Sequence, residues 1–219
     1  MKMILCCAAV SACLVFPVSA WASQDSLLSV TEESQIIPIP DGSGKYLLKS
    51  DGFYCLNADS TKENTPAVHY FDHFVIDGTV LDGYYYHDGG GKFVAGSPHV
   101  EELRQINVPS QEQEEEPAWA AVFDGYYMVG NLGKLTAAPQ IRYMDNLVMN
   151  GVTFNGYYFF DENGKLVTEP GIHYISMTSN GRSFEGNYYF GGANGALNQE
   201  PGTTPEGFGV DENGMVQNL

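Results

Sequence analysis

Aromatic rings are the side chains of this sequence best suited to binding chemistry. The chain holds 14 Tyr and 12 Phe against 2 Trp, and the rings gather in short runs that follow a glycine. A uniform column of central tyrosines is expected on one face of the strands: Tyr54, Tyr85, Tyr127, Tyr158 and Tyr189. Because successive side chains of a strand point to opposite faces, their neighbours form a mixed column: Phe53/Cys55, Tyr84/Tyr86, Tyr126/Met128, Tyr157/Phe159 and Tyr188/Phe190.

The mixed column is the candidate binding surface. The tyrosine column suits a core ladder whose hydroxyl groups reach the wet margin. Aromatic faces that stay exposed stack on sugar rings or hold quaternary ammonium groups. The alternative is that both columns only pack, and the residue types leave the two interpretations open.

Catalytic motifs are absent from the sequence. It contains no G-x-S-x-G, H-E-x-x-H, phosphate-binding loop or C-x-x-C. His69 and His73 are close enough in the chain to chelate together, but His69, His99 and His173 are expected to share one repeat position, which favours a structural role. We therefore expect no enzyme activity, no cofactor and no metal site. A hydrolase would need two carboxylates facing each other across a cleft, about 5–10 Å apart.

A β-hairpin positions these rings. Its clearest copy is FNGYYFFDENGKLV at residues 154–167, where an aromatic strand precedes a turn rich in Asp, Asn and Gly and a short return strand. A second hairpin turn lies upstream in most copies, at Asp77-Gly78, Asn150-Gly151 or Asn180-Gly181.

The hairpin recurs at a nearly fixed period. The glycines that open the aromatic runs are Gly52, Gly83, Gly125, Gly156 and Gly186, at intervals of 31, 42, 31 and 30 residues. Such a period is typical of repeat proteins in which each unit buries its face against the next. The sequence predicts an all-β fold, a β-hairpin repeat solenoid with short antiparallel strands.

Three segments surround or interrupt the repeats. Residues 1–22 have the pattern of a cleaved secretory signal peptide, with a lipobox-like alternative that would leave a lipid on Cys13. Residues 23–39 are expected to be a flexible lead-in, and residues 40–219 the repeat domain. An acidic insertion is expected at about 97–121, with a short helix over 101–106. The acid-rich run at 111–116 is either a solvated loop or a loop that binds a cation or contacts a protein partner.

The net charge restricts the classes of molecule that this protein can bind. Lys and Arg number 10 against 27 Asp and Glu, a formal net charge of −17. Nucleic acid and anionic membrane surfaces would be repelled, so neutral or cationic ligands are expected. After signal cleavage Cys55 is the one remaining cysteine, which predicts no internal disulfide and either a small buried apolar role or an intermolecular bridge.

The units GYYYHDGGGKFVAG, GYYFFDENGKLVTEPG and NYYFGGANGALN resemble the cell-wall-binding and glucan-binding repeats of Gram-positive surface proteins. The resemblance covers about residues 44–219 and implies inter-repeat grooves that hold α-glucan chains or the choline of teichoic acids. It implies groove residues at Tyr84, Tyr86, Tyr126, Tyr157, Phe159, Tyr188 and Phe190. The choline-binding branch has Trp where this chain has Tyr84, Tyr126, Tyr157 and Tyr188, so the glucan-binding branch is the better match.

The expected function is therefore binding of cell-wall polysaccharide or glucan by a secreted or cell-wall-associated protein without enzyme activity. No membrane association is expected after cleavage. A structural or adhesin spacer that contacts a protein partner through the acidic insertion is the alternative.

Overall fold

The structure is a computed structural model that describes residues 35–38, 44–49, 52–76, 78–94, 96–109 and 119–217. The predicted signal peptide, Cys13 and the acidic run at 111–116 lie outside the described residues. Part of the predicted lead-in, residues 35–38, forms a strand. No helix in the described residues is long and apolar enough to cross a membrane.

The described residues are almost entirely β-structure. The strands are β1 (Gln35–Pro38), β2 (Gly44–Lys49), β3 (Gly52–Asn57), β4 (Ala67–Ile76), β5 (Thr79–His87), β6 (His99–Pro109), β7 (Trp119–Val129), β8 (Gln140–Met149), β9 (Val152–Phe160), β10 (Gly171–Ser179), β11 (Arg182–Phe190), β12 (Gly202–Thr203), β13 (Gly209–Val210) and β14 (Val216–Gln217). Single 3₁₀ turns occur at Asn131–Gly133 and Ala193–Gly195. The prediction of an all-β fold is confirmed.

Four long antiparallel hairpins make up the body: the first is β4–β5, the second β6–β7, the third β8–β9 and the fourth β10–β11. Three-stranded sheets precede and follow them, β1-β2-β3 and β12-β13-β14. The first three hairpins share a bulge next to a residue with positive φ, namely His73, Gln105 or Asn146. A bulge bends its strand and strengthens the local twist, so it is part of the repeated unit.

The predicted short helix at 101–106 is wrong. These residues lie in β6, where Glu101 pairs with Tyr127 and Leu103 with Gly125. Leu103 is buried, and pairing with an aromatic strand outweighs the modest helix propensity of Glu and Leu. Residues 99–109 therefore belong to the repeat, and the extra length of this unit falls between Pro109 and Trp119.

The core lies between successive hairpins. Met128 of the second hairpin clusters with Tyr158 and Phe160 of the third, and Phe159 of the third clusters with Tyr188 and Phe190 of the fourth. The third hairpin therefore buries one face against the second hairpin and the other against the fourth. The solenoid itself stays a prediction.

The segment after each hairpin's last turn joins neighbouring units. The backbone N–H of Leu135 donates to the carbonyl oxygen of Tyr84 at 2.9 Å, and that of Leu166 donates to Tyr126 at 2.7 Å. The G-K-L motif therefore pairs with the aromatic strand of the preceding hairpin, which explains why it recurs in phase with the rings.

The predicted tyrosine column is wrong in its last member. Tyr188, not Tyr189, bridges to the following segment, as Tyr158 does. The hydroxyl oxygen of Tyr188 accepts the Glu185 N–H at 3.3 Å, matching the bond from Asn155 to Tyr158 at 3.1 Å. The register is counted from the glycine, and Asn187 occupies the first position after Gly186. Tyr188 and Phe190 consequently belong to the buried face of the strand and not to the mixed column.

Candidate ligand grooves between neighbouring hairpins

Three equivalent grooves occur where one hairpin meets the next. In each, the tyrosine directly after the glycine is half-buried and its ring packs edge-on against a phenylalanine of the next hairpin. The ring centroids are 5.0 Å apart for Tyr84 and Phe123 (first groove), 5.0 Å for Tyr126 and Phe154 (second groove), and 5.1 Å for Tyr157 and Phe184 (third groove). This edge-to-face geometry is favourable for aromatic pairs.

The first groove opens into a cleft of about 840 Å³. Tyr70 forms its second aromatic wall: its ring lies 4.9 Å from that of Tyr84, and it is 39% exposed. Asp82, Lys134 and Asn163 also line the cleft and supply its charged and polar groups. The volume and the mixture of rings with a few polar groups are those of small-molecule sites, which span about 300–1,000 Å³.

The glycine before each ring run has a positive φ, which side chains of L-residues rarely adopt. At Gly125 a lysine stem also occupies the space beside the glycine. A Cβ added to Gly125, whose φ is +128°, would lie 2.8 Å from Cε of Lys165. Lys165 and Lys134 both line the first groove, and the Lys134 ammonium lies 5.9 Å from the ring centroid of Tyr85. These two lysines bring positive charge to the first groove of a strongly acidic chain.

The second groove has a charged rim. Glu102 stands across the hairpin from Tyr126, where the first and third hairpins have Tyr70 and Tyr143. Its carboxylate accepts hydrogen bonds from Arg104, at 2.8 Å, and from the amide of Asn150. The bond from Arg104 is the main reason that the pKa of Glu102 lies below its usual range. Burial, followed by the charge of Glu102, raises the pKa of the Tyr126 hydroxyl.

The third groove is covered by a cation from its own chain. The ring of Tyr143 lies 5.0 Å from that of Tyr157. The guanidinium carbon of Arg182 lies 5.3 Å from the ring centroid of Tyr157 and 4.5 Å from that of Phe184. The same guanidinium donates a hydrogen bond to the carbonyl oxygen of Asn213 at 2.6 Å.

The position of Arg182 distinguishes the grooves. Arg182 lies two residues before the groove phenylalanine, where the first groove has Ala121 and the second has Val152. Ala121 lines the first cleft. A small residue leaves the rings of the first groove accessible, whereas a long cationic one covers those of the third.

The seven residues expected to line grooves divide into two sets. Tyr84, Tyr126 and Tyr157 lie in the three grooves and are half-buried. The other four lie in the core between hairpins, with exposed fractions of 7% for Tyr86, 9% for Phe159, 3% for Tyr188 and 0% for Phe190. Ligand binding by any of the seven stays a prediction, and within the first set Arg182 covers the ring of Tyr157.

Sequence reasoning missed the partners of these rings. Tyr70 and Tyr143 come from the opposite strand of the same hairpin, and Phe123 and Phe184 from the next hairpin. Residue pairs counted back from the Asn150-Gly151 turn place Tyr143 opposite Tyr157 only if the bulge between Met144 and Leu147 is included. The bulge leaves no clear signal in the sequence.

Comparison with known proteins found no matching protein-family model and no matching curated protein. Solved structures that match include choline-binding protein F from Streptococcus pneumoniae, at 16% identity over 86% of this chain and 74% of that chain, with a TM-score of 0.25. CbpF in complex with ipratropium matches at 15% identity, 86% and 75% coverage and a TM-score of 0.25. Choline-binding protein F in the presence of a peptidoglycan analogue matches at 15% identity over 86% of this chain and 74% of that chain, with a TM-score of 0.24. At this level of similarity, function has to be derived from the grooves of this chain.

Proposed function

We propose that this is a secreted, non-enzymatic protein that binds a neutral cell-wall or glucan-like polysaccharide in aromatic grooves between its hairpins. The observation that carries the proposal is the first groove. Its two tyrosines present accessible ring surface in an open cleft, with a carboxylate, an amide and an ammonium group beside them. Binding is expected to start at Tyr70 and Tyr84.

The chemistry of the cleft suits a sugar. The C–H groups of a pyranose ring form an apolar face that can lie on Tyr70 or Tyr84. Hydroxyl groups at the ring edge can donate to Asp82 and accept from Lys134 or Asn163. A few polar groups placed around apolar walls set the orientation of a ligand.

Charge supports a neutral ligand. The net charge of −17 would repel an anionic wall polymer at long range. A neutral glucan does not face this barrier.

The lining of the cleft also supports binding without hydrolysis. Among the described residues that line it, Asp82 is the one carboxylate. Glycoside hydrolysis ordinarily uses a pair of carboxyl groups on opposite sides of the scissile bond.

A quaternary ammonium ligand is the second candidate, and Arg182 is the observation that favours it. The guanidinium shows that rings in this arrangement can hold a cation. In the first groove, Ala121 leaves the corresponding space free of a long side chain. Choline would enter that space if the ring faces select charge rather than a sugar surface.

Retention of the purified protein on insoluble α-glucan and on purified cell walls tests the proposal. Elution with soluble oligosaccharide, and loss of retention in Tyr84→Ala, are the expected results. Tyr174→Ala is the matched control, because Tyr174 is 66% exposed and stands across from Asn187 rather than an aromatic residue. It should be retained as wild type is.

Other outcomes would redirect the proposal. Elution by choline but not by sugar would favour the second candidate. No retention on either matrix would contradict groove binding and favour a spacer that contacts a protein partner.

A further inference from the structure

A cluster of metal-ligand side chains lies apart from the grooves, where β3 meets the first hairpin. It consists of Cys55 on β3, Glu63 on the loop before β4, His69 on β4 and His87 on β5. One ligand atom from each lies within 4.8 Å of all the others. Cys55 is 2% exposed and His87 fully buried, while the side chains of His69 and Glu63 are 20% and 26% exposed.

We infer that Cys55, Glu63, His69 and His87 form a four-coordinate Zn²⁺ site that ties the first sheet to the first hairpin. The spacing of the ligand atoms carries this inference. The Nε2 atoms of His69 and His87 are 3.1 Å apart, and Glu63 Oε2 lies 3.3 Å from the Nε2 of His87 and 3.7 Å from that of His69. Tetrahedral Zn²⁺ with bonds of about 2.0–2.2 Å to N and O requires ligand atoms about 3.3–3.6 Å apart.

His87 is in the tautomer whose unprotonated nitrogen, Nε2, faces the cluster. Its Nδ1 donates to the backbone carbonyl oxygen of Asp88 at 2.8 Å, which leaves Nε2 as the ligand atom. A histidine ligand is commonly oriented in this way by a hydrogen bond from its other nitrogen. Nδ1 of His69 has a similar outer partner, the hydroxyl of Tyr46 at 3.3 Å.

Hydrogen bonds can link these atoms only in pairs. The Cys55 thiol donates to the Glu63 carboxylate, and a proton on Nε2 of His69 can be donated to Nε2 of His87. A divalent cation would contact all four ligand atoms at once. Thiolate and imidazole ligands favour Zn²⁺ over Mg²⁺ and Ca²⁺, which prefer oxygen.

The other hairpins show that the fold does not need these residues. The fourth position after the glycine, held by His87, is occupied by Val129, Phe160 and Phe190, all fully buried. The third position, held by Cys55 in the first sheet, is occupied by Met128 and Phe159 in later units. A buried imidazole where other units place an apolar side chain calls for a partner that an apolar residue would not need.

Sequence reasoning expected no metal site, although it weighed a pair of His69 with His73 and a cation-binding loop at 111–116. The structure places His69 against His87 instead, and His73 lies in a separate exposed group with Asp72 and Asp82. The expected shared repeat position is also wrong for His99. His69 and His173 pair with the central tyrosines Tyr85 and Tyr188, whereas His99 pairs with Val129.

Metal binding by the purified protein, with Cys55 reduced, tests the inference. We expect one Zn²⁺ per chain and a higher melting temperature with Zn²⁺ present. Co²⁺ in the same site should show the visible absorption of a tetrahedral ion and a thiolate charge-transfer band that Cys55→Ser removes. Glu63→Gln should weaken Zn²⁺ binding more than about 100-fold, because loss of an outer-shell partner alone costs about 10–100-fold.

Two further variants keep the test decisive. His87→Phe installs the residue that the third and fourth hairpins use, so it should fold, bind no Zn²⁺ and show no thermal shift. His173→Gln is the matched control, since His173 holds the repeat position of His69 but lies outside the cluster, and its Zn²⁺ binding should equal that of wild type. Failure of wild type to take up Zn²⁺, or equal uptake by wild type, Glu63→Gln and His87→Phe, would overturn the site.

Discussion

The first and third grooves share their aromatic rings and differ in the side chains beside those rings. Both place a tyrosine pair against a phenylalanine of the next hairpin, with ring centroids about 5 Å apart. The position two residues before that phenylalanine is Ala121 in the first groove and Arg182 in the third. Arg182 lies over the rings, so the same scaffold gives one groove open to ligand and one occupied by the chain itself.

The difference separates packing from binding in this repeat. The ring contacts between hairpins are common to both grooves and therefore serve stability. Access to the rings depends on a strand residue that makes no contribution to the ring pairs themselves. Binding capacity can thus vary from groove to groove while the fold stays constant.

Closing the first groove should have the largest effect. Ala121→Arg transfers the feature of the third groove to the first and should reduce affinity for α-glucan by more than about 10-fold, which corresponds to about 1.4 kcal/mol. Because the ring pairs remain, the free energy of unfolding should change by less than about 0.5 kcal/mol. Sedimentation with insoluble glucan and urea unfolding measure the two quantities.

The control for this variant is Val148→Arg. Val148 is 63% exposed and does not line the cleft of the first groove. A loss of binding in Val148→Arg as large as that in Ala121→Arg would show that added charge, not closure of the groove, is responsible.

Opening the third groove should have a smaller effect of opposite sign. Arg182→Ala removes a cation–π contact, which at an exposed site contributes about 0.5–1 kcal/mol to stability, and exposes the rings of Tyr157 and Phe184. We expect a slightly lower melting temperature together with a few-fold gain in retention on glucan through a second site. Arg142→Ala is the matched control, because Arg142 is exposed and bonds to Gln140 rather than to a ring; a similar gain there would contradict the interpretation.

The charged rim of the second groove should produce the smallest effect. The folded-state pKa of Glu102 lies below the ordinary value of 4.5, so its carboxylate stabilises the folded protein where it is ionised. That contribution is present above pH 4.5 and is lost as the pH falls through the lowered folded value. Glu102→Gln should therefore be less stable than wild type at neutral pH, and the difference should shrink in acid. Urea unfolding over a pH series measures it, and a difference that does not depend on pH would contradict the assignment.

The fold was predictable because its signals are local and repeated. Asx-Gly turns, aromatic strands and G-K-L segments occur at a fixed interval, so each copy supports the interpretation of the others. Where one copy deviates the prediction failed: Asn187 replaces the first ring after Gly186, and the tyrosine register of the last unit was displaced by one. The helix predicted at 101–106 failed for a related reason, because strand pairing with Tyr126 and Tyr127 is a tertiary interaction.

The candidate sites were less predictable because their residues meet across elements. Tyr84 could be identified from the repeat, but Tyr70 is brought beside it by a bulged register and Phe123 by packing of the next hairpin. The cluster around His87 draws on two strands of one hairpin, a strand of the preceding sheet and a loop. Spacing along the chain carries no information about such a convergence.

The most direct test of the groove account is an NMR titration of the wild-type protein with a soluble α-gluco-oligosaccharide. We predict the largest chemical-shift changes at the methyl group of Ala121 and at the rings of Tyr70 and Tyr84, with little change at Tyr157 and Phe184 under Arg182. Equal changes in the first and third grooves would contradict the role assigned to Arg182. Changes confined to other surfaces, or none at saturating sugar, would contradict the first groove as the binding site.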